Sequence, residues 1–267
     1  MSLQDRAGHI LQLLRQRGYL AVDDLSQELN VSQMTIRRDL KDLEQAGLIN
    51  RSHGGASLKP ERGDSEWPVL LRETESLKAK HEIGKVAASL VHDGDVVILD
   101  AGTTTLQVAH NLVQNRLTVA SNFLPILNLL ADKKNISLIG IGGNLYADNQ
   151  CFIGSLAVNT IRSINANVAI LATSCLSLAK GMTNRNLAEA EVKRAMIEAA
   201  EKVVLVMDSS KMHRHTLASV GALEALDILV TDDCLAVEDR VAIEARGVKV
   251  LTVACDAAEA QPEEKSQ

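Results

Sequence analysis

At 267 residues the chain has room for one large or two modest domains, and with aromatics at 2% its core must be built from alanine, valine, leucine and isoleucine. The formal charge of −6 lies wholly beyond residue 58, because residues 1–58 carry seven basic and seven acidic side chains, so the larger part of the chain is not itself a nucleic-acid surface. No apolar run approaches the ~18–20 residues that cross a membrane, and Cys151, Cys175, Cys234 and Cys255 are too widely spaced for a zinc site or a disulfide framework, so they read as small buried hydrophobes.

Met1-Ser2-Leu3-Gln4-Asp5-Arg6 leads directly into an amphipathic helix, without the pattern of a signal peptide. The expectation is a cytoplasmic protein with no membrane contact, associated with the nucleoid only if it binds DNA. Ile10, Leu11, Leu13 and Leu14 give a helical apolar stripe that stops at Gly18. Val22, Leu25 and Leu29 give a second, shorter helix, expected to be capped by Asp23 or Asp24. A turn at Asn30-Val31 leads to Ser32-Gln33-Met34-Thr35-Ile36-Arg37-Arg38-Asp39-Leu40. Ser32 stands where an N-cap should, its hydroxyl able to accept from an orphan backbone N–H, and Val31 can pack on the first turn. At about 100° per residue, Ile36, Leu40 and Leu43 fall on one side and can bury, while Met34, Arg37, Arg38 and Lys41 project from the other. Asp39, Asp42 and Glu44 are expected off the Arg37/Lys41 stripe.

Helix, short turn and helix at this spacing is the helix-turn-helix pattern, whose second member enters the major groove by its N-terminal residues. Gly47 should end that helix, and residues 48–58 read as two short strands about a glycine turn, a wing that carries Arg51 and His53 toward phosphate or the minor groove. A solvated charged face on an ordinary helical domain is the competing reading, and the neutral total of this segment supplies no basic-domain signal. The gathering of basic side chains on the third helix and wing decides for double-stranded DNA, with Ser32, Gln33, Met34, Thr35, Arg37, Arg38, Lys41, Arg51 and His53 as the contact residues.

The run Ser-x-x-Thr-Ile-Arg-Arg-Asp-Leu at 32–40, with Arg6 upstream and Arg-Ser-His-Gly-Gly-Ala at 51–56, resembles the DeoR family of bacterial transcriptional regulators of sugar metabolism. The likeness runs nearly the whole length of the chain. It implies a winged helix-turn-helix on operator DNA, a larger C-terminal domain that senses a sugar-derived and usually phosphorylated effector, and a repressor released by that effector.

Lys59 to Pro68 is charged, holds two of the four prolines and has no apolar period, so residues 59–76 read as a linker between a DNA-binding domain at 1–58 and a domain at 77–256, followed by a polar tail at 257–267. Trp67 is expected to pack on one of the domains. Apolar runs at Val96–Leu99, Leu117–Ala120, Ile136–Ile139, Val168–Leu171, Val203–Val206, Ile228–Val230 and Val248–Leu251 alternate with helical stretches. The fold class is therefore α/β: a winged helix-turn-helix plus an open, largely parallel Rossmann-like sheet, with ligands expected outside the carboxyl ends of its strands. This scaffold resembles that of ribose-5-phosphate isomerases and CoA transferases.

Asp100-Ala101-Gly102-Thr103-Thr104-Thr105 follows the first of these strands and opens a helix, offering backbone N–H groups, hydroxyls and the positive end of the helix dipole to an anion. A plain helix cap closed by threonines is the alternative, and the resemblance decides for effector binding because this segment matches the family's effector loop. Ser121-Asn122, Gly142-Gly143 and Thr173-Ser174 at later strand ends add groups suited to a polyol. Residues 181–184, with Thr183, look like the family's glycine-threonine turn, and Glu189-x-Glu191-x-Lys193 like its glutamate-to-lysine helix; Lys193 and Lys211 are the cations expected to reach the effector. The family commonly has a glycine-aspartate-glycine-like segment where this chain has Ala172-Thr173-Ser174-Cys175-Leu176-Ser177, which points to a more acidic or less hydroxylated effector such as a sugar acid or its phosphate. His213-Arg214-His215 reads as solvated rather than as a metal site, and no cofactor is implied. Nothing compels catalysis, although a sugar-phosphate isomerase with an appended DNA-binding domain, using Glu189 or Glu191 as base, is the alternative. The expected partners are operator DNA, a small anionic sugar derivative and further copies of the chain, as a dimer or tetramer.

Overall fold

The computed structural model describes residues 3–45, 47–52, 54–59 and 77–254, which divide into two compact units, Met1–Glu75 and Ser76–Gln267. His53, the segment 60–76 with Trp67, Cys255 and the polar tail lie outside the described residues.

The first unit begins with α1 (Leu3–Arg17), ended by Gly18 at a left-handed φ of 75°. Strand β1 (Tyr19–Ala21) passes into α2 (Val22–Glu28), and α3 (Gln33–Gln45) follows. The wing is β2 (Ile49–Ser52) and β3 (Gly55–Leu58) about Gly54, and β3 pairs antiparallel with both β1 and β2. The wing is thus three-stranded, one strand more than the sequence pattern showed, since Tyr-Leu-Ala is too short to display an alternation. Gly55 is required by β1, because a Cβ there would lie 2.3 Å from the Leu20 carbonyl oxygen. Asp23 and Asp24 occupy the first turn of α2 without capping it; Ala21 is the N-cap residue, and the Val22 N–H donates to the Gly54 carbonyl at 2.7 Å. Ile10, Leu11, Leu14, Leu25, Ile36, Leu40, Leu43 and Ile49 form one continuous core. Burying each such side chain contributes about 1.5–3 kcal/mol.

In the second unit the chain runs α4 (Leu77–Ala88), β4 (Val96–Leu99), α5 (Thr103–Leu112), β5 (Leu117–Ser121), α6 (Leu124–Leu130), β6 (Ile136–Gly140), β7 (Asn144–Tyr146), β8 (Cys151–Ile153), α7 (Ser155–Arg162), β9 (Ala166–Leu171), β10 (Cys175–Ser177), β11 (Gly181–Asn184), α8 (Leu187–Glu198), β12 (Ala200–Val206), β13 (Ala218–Gly221), β14 (Ile228–Asp232), α9 (Val237–Glu244) and β15 (Lys249–Val253). All seven apolar runs become strands of one parallel sheet in the order β15-β14-β12-β9-β4-β5-β6. The chain winds one way from β4 to β6 and the other way from β9 to β15. The reversal falls between β4 and β9, and a doubly wound sheet of this order opens a crevice at the carboxyl ends of those two strands.

Two additions were not legible as strands. β7 and β8 form an antiparallel hairpin, and β10, β11 and β13 form a small antiparallel sheet, so residues 181–184 are a strand rather than a turn. Cys151 and Cys175 are buried thiols, but Cys234 is exposed and disulfide-bonded, which corrects its reading as a small buried hydrophobe. Among the described residues no helix is long and apolar enough to cross a membrane.

Candidate functional site

In the first unit the site is the outward face of α3. Ser32 Oγ accepts from the Thr35 N–H at 3.2 Å and lies 2.9 Å from Thr35 Oγ1, so the hydroxyl predicted as N-cap fixes the helix start. Ile36, Asp39, Leu40 and Leu43 are buried, while Ser32, Gln33, Met34, Arg37, Arg38 and Lys41 are exposed. Asp39 faces inward because Arg6 of α1 meets it with two hydrogen bonds, Nε to Oδ2 at 2.5 Å and Nη2 to Oδ1 at 3.0 Å. A carboxylate next to Arg38 in the middle of the helix is in this way paired and turned from the surface. Glu44 is not off the basic stripe: three residues beyond Lys41 and seven beyond Arg37 it shares their side of the helix, and its Oε2 accepts from Arg51 Nη1 of the wing at 3.3 Å.

The second unit holds its candidate site at the β4/β9 reversal. Asp100, directly after β4, is 1% exposed; its Oδ2 accepts from the Ala172 N–H at 3.0 Å and pairs with Lys193 Nζ. Lys193, on the buried face of α8, also donates to the Ala172 carbonyl at 3.0 Å. The ends of β4 and β9 are thereby joined to α8 by one buried ion pair. Gly102 is the N-cap residue of α5, which has no side-chain cap, so the first N–H groups of the helix have no intrahelical acceptor and carry its positive end. A Cβ at Gly102 would lie 2.8 Å from Ala172 Cβ, which shows how closely this turn approaches the end of β9. Thr105 Oγ1 is committed to the turn itself, donating toward the Asp100 and Gly102 carbonyls at 2.7 and 2.8 Å. Thr103 and Thr104 complete the buried first turn.

Neighbouring groups divide by what they do. Ser121 Oγ accepts from the Phe123 N–H at 3.2 Å and stays within its own loop. Asn122 donates from Nδ2 to the Phe152 carbonyl at 2.9 Å, and its Oδ1 is buried without a partner among the described residues. Thr173 Oγ1 lies 3.0 Å from both the Cys175 and Thr183 carbonyls, and Thr183 Oγ1 accepts from the Thr216 N–H at 3.0 Å, so both threonines bind the small antiparallel sheet together. Ser174 donates to Asn184 Oδ1 at 2.5 Å, and Glu189 accepts from Asn184 at 3.2 Å and from Asn149 at 2.8 Å. Of this cluster the sequence singled out Glu189 only as part of the glutamate-to-lysine helix and as the base of the isomerase alternative, Asn184 only within the 181–184 segment, and Asn149 not at all. Glu189 was legible in principle, since its spacing of four from Lys193 puts both on one helix face; Asn149 has no local signal.

Gly142, Gly143 and Lys211 stand farther out. β6 and β12 each lie two strands from β4, roughly 10 Å at the usual strand spacing. A Cβ at Gly143 would lie 2.6 Å from the Ile153 carbonyl, so this glycine admits the β7–β8 hairpin. Lys211 Nζ is 3.9 Å from Asp208 Oδ2 after β12. Burial works to raise the Asp208 carboxyl, but the Lys211 ammonium, the Ser210 hydroxyl and the Lys80 ammonium outweigh it and hold the group below the usual carboxylate range. His213 Nε2 meets Asp239 Oδ2 at 2.7 Å, and no group of three metal-ligating side chains occurs among the described residues.

A winged helix-turn-helix carried by the same chain as a separate doubly wound α/β unit is the architecture of a DNA-binding regulator. Comparison with known proteins agrees. A DeoR-like helix-turn-helix domain matches residues 6–62, and a DeoR C terminal sensor domain matches residues 75–233. The transcriptional repressor AccR of Agrobacterium fabrum is 36% identical over 86% of this chain and 90% of its own. The putative aga operon transcriptional repressor of Escherichia coli O157:H7 is 31% identical over 93% of each chain, and the glycerol-3-phosphate regulon repressor of Escherichia coli K12 is 31% identical over 87% of this chain and 92% of its own. Among solved structures, the chain is similar to a probable sor operon regulator from Shigella flexneri, at 14% identity and a TM-score of 0.41 over 64% of this chain and 90% of that one, and to ribose 5-phosphate isomerase A from Methanocaldococcus jannaschii, at 15% identity and a TM-score of 0.38 over 52% and 55%. The chain belongs to the DeoR family: it is a DNA-binding transcriptional repressor with a sensor domain, and it is not an enzyme.

Proposed function

We propose that the protein represses a carbohydrate catabolic operon, binding double-stranded operator DNA through Gln33, Met34, Arg37, Arg38, Lys41 and the wing, and that a phosphorylated sugar or sugar acid releases it. The observation that carries the effector half is the uncapped N-terminus of α5, packed flush on the end of β9 where the strand order reverses. An anion is favoured there by the helix dipole and the free N–H groups of the turn. The unpartnered Oδ1 of Asn122, beside it at the end of β5, is an acceptor for a sugar hydroxyl. The names of the glycerol-3-phosphate and aga operon repressors support a sugar-derived ligand. The effector then acts only through its different affinity for the DNA-competent and DNA-incompetent states, and DNA must alter effector affinity by the same factor.

The test is a thermal-shift screen of sugar phosphates and sugar acids, followed by anisotropy titration on a duplex selected from random sequence. A true effector raises the melting temperature by mass action and weakens DNA binding. Gly102→Asp combined with Ala172→Gly, which makes room for the new side chain, should leave DNA affinity intact and abolish the response. If only neutral sugars shift DNA affinity, the anion cradle is wrong and the threonines are ordinary cap residues. For the DNA half, Arg37→Ala and Arg38→Ala should each weaken binding, by about 1–3 kcal/mol where the side chain reads a base edge and with a reduced salt dependence where it contacts phosphate.

A further inference from the structure

We infer that Met34 reads the methyl group of a thymine on the floor of the major groove, and so sets one base of each operator half-site. The inference rests on α3 being the recognition helix. The buried side of α3 is defined by Ile36, Asp39, Leu40 and Leu43. At about 100° per residue, the direction opposite their mean falls within roughly 10° of Met34, with Lys41 and Arg38 about 30° to either side and Arg37 about 70° away. Met34 is therefore, with Gln45 at the far end of the helix, one of the two side chains pointed most directly away from the protein. It is 81% exposed, the most exposed large hydrophobic side chain among the described residues. Its place on the first turn matters as much as its direction, because a recognition helix enters the groove by its N-terminal residues.

Single exposed apolar side chains are ordinary on protein surfaces. Met34 differs in being the one apolar group on an outward face otherwise made of Arg37, Arg38, Lys41, Asp42 and Gln45. Pressed against the groove floor, a thioether desolvates whatever base edge it meets. Guanine, adenine and cytosine present acceptors or donors there and would lose water without gaining a partner, whereas thymine alone among the four bases presents the C5-methyl. The unbranched, polarizable methionine side chain fits such a contact without demanding one geometry. Arg37 and Arg38, by contrast, are long enough to reach phosphate or a guanine edge and need no apolar surface.

The experiment uses the full chain and duplexes selected from a random-sequence library by the wild-type protein. Each thymine of the selected site is replaced in turn by deoxyuridine, which removes only the methyl group. One thymine per half-site should then bind wild type about fourfold more weakly, the factor that follows from about 0.8 kcal/mol for a buried methyl, while Met34→Ala should be indifferent to the same exchange. Met34→Ala should also melt as the wild type does, so a loss of binding cannot be a loss of fold. Selection with Met34→Gln should move the preferred base from thymine to adenine, whose N6 and N7 take a bidentate amide. Indifference of the wild type to every deoxyuridine exchange overturns the inference, as does an unchanged thymine preference in Met34→Gln. If Arg37→Ala and Arg38→Ala also bind normally, the recognition-helix reading fails with it; if they bind weakly, only the role of Met34 fails.

Discussion

At Gly102 the constraint is a neighbour rather than a backbone angle: φ is 173°, open to any residue, but a Cβ would stand 2.8 Å from that of Ala172. Gly102→Ala should therefore destabilise the protein by about 1–3 kcal/mol, the usual cost of overpacking, and Ala172→Gly should restore most of the loss. Equal melting temperatures for Gly102→Ala and the double variant would show that the two positions do not meet. Asp208 supplies a pH-dependent counterpart. Its carboxyl is held below the ordinary range, with Lys211, Ser210 and Lys80 prevailing over burial. A depressed folded-state pKa contributes stability that is fully present above the unfolded value and is lost as pH falls through the folded one. The melting-temperature gap between wild type and Asp208→Asn should thus be open at neutral pH, begin to narrow as pH falls into the unfolded carboxylate range near about 4, and close only below it, as pH falls through the lower folded-state value. A gap that stays constant would remove the charge argument.

Among elements, α1 and α3 are joined by Arg6 and Asp39 as well as by their shared core. Removing one partner leaves the other charge in place without its bond, so Arg6→Ala and Asp39→Ala should each cost about 1–3 kcal/mol. Removing both should cost less than the sum. Denaturant melts of the four proteins give the coupling directly, and strict additivity would mean that the contact carries no energy. DNA affinity should fall further in Asp39→Ala than in Arg6→Ala only if the angle of α3, rather than the total charge, is what the pair protects. The same scale shows where local sequence was sufficient. The seven parallel strands each announce themselves by a run of β-branched or aliphatic residues, because both faces are buried under helices. β1, β7, β8 and β10 are three residues long and carry no such run, so their pairing partners alone make them strands.

For the whole molecule, the second unit has its own core, a continuous cluster running from Ile98 to Val250. Residues 77–254 expressed alone should fold cooperatively, form dimers or larger oligomers, and bind the effector without DNA. Sedimentation and thermal melts decide this: a fragment that stays monomeric at high micromolar concentration argues against assembly through this unit. A two-fold assembly of the full chain should bind repeated half-sites whose spacing follows from its symmetry.

The sequence by itself determined the class of the protein, because the features that define it are local. A capping serine, an apolar seam at helical spacing, two adjacent arginines and glycines at helix ends act within a few residues of one another. The glycine-threonine turn after β4 was legible for the same reason. What only the tertiary structure decided are the partnerships across the chain: Lys193 with Asp100, 93 residues apart, and Asn149 with Glu189, 40 apart. By sequence, Lys193 is a cation expected to reach the effector. The fold buries it and pairs it with Asp100, since a buried ammonium is stable only beside an opposite charge.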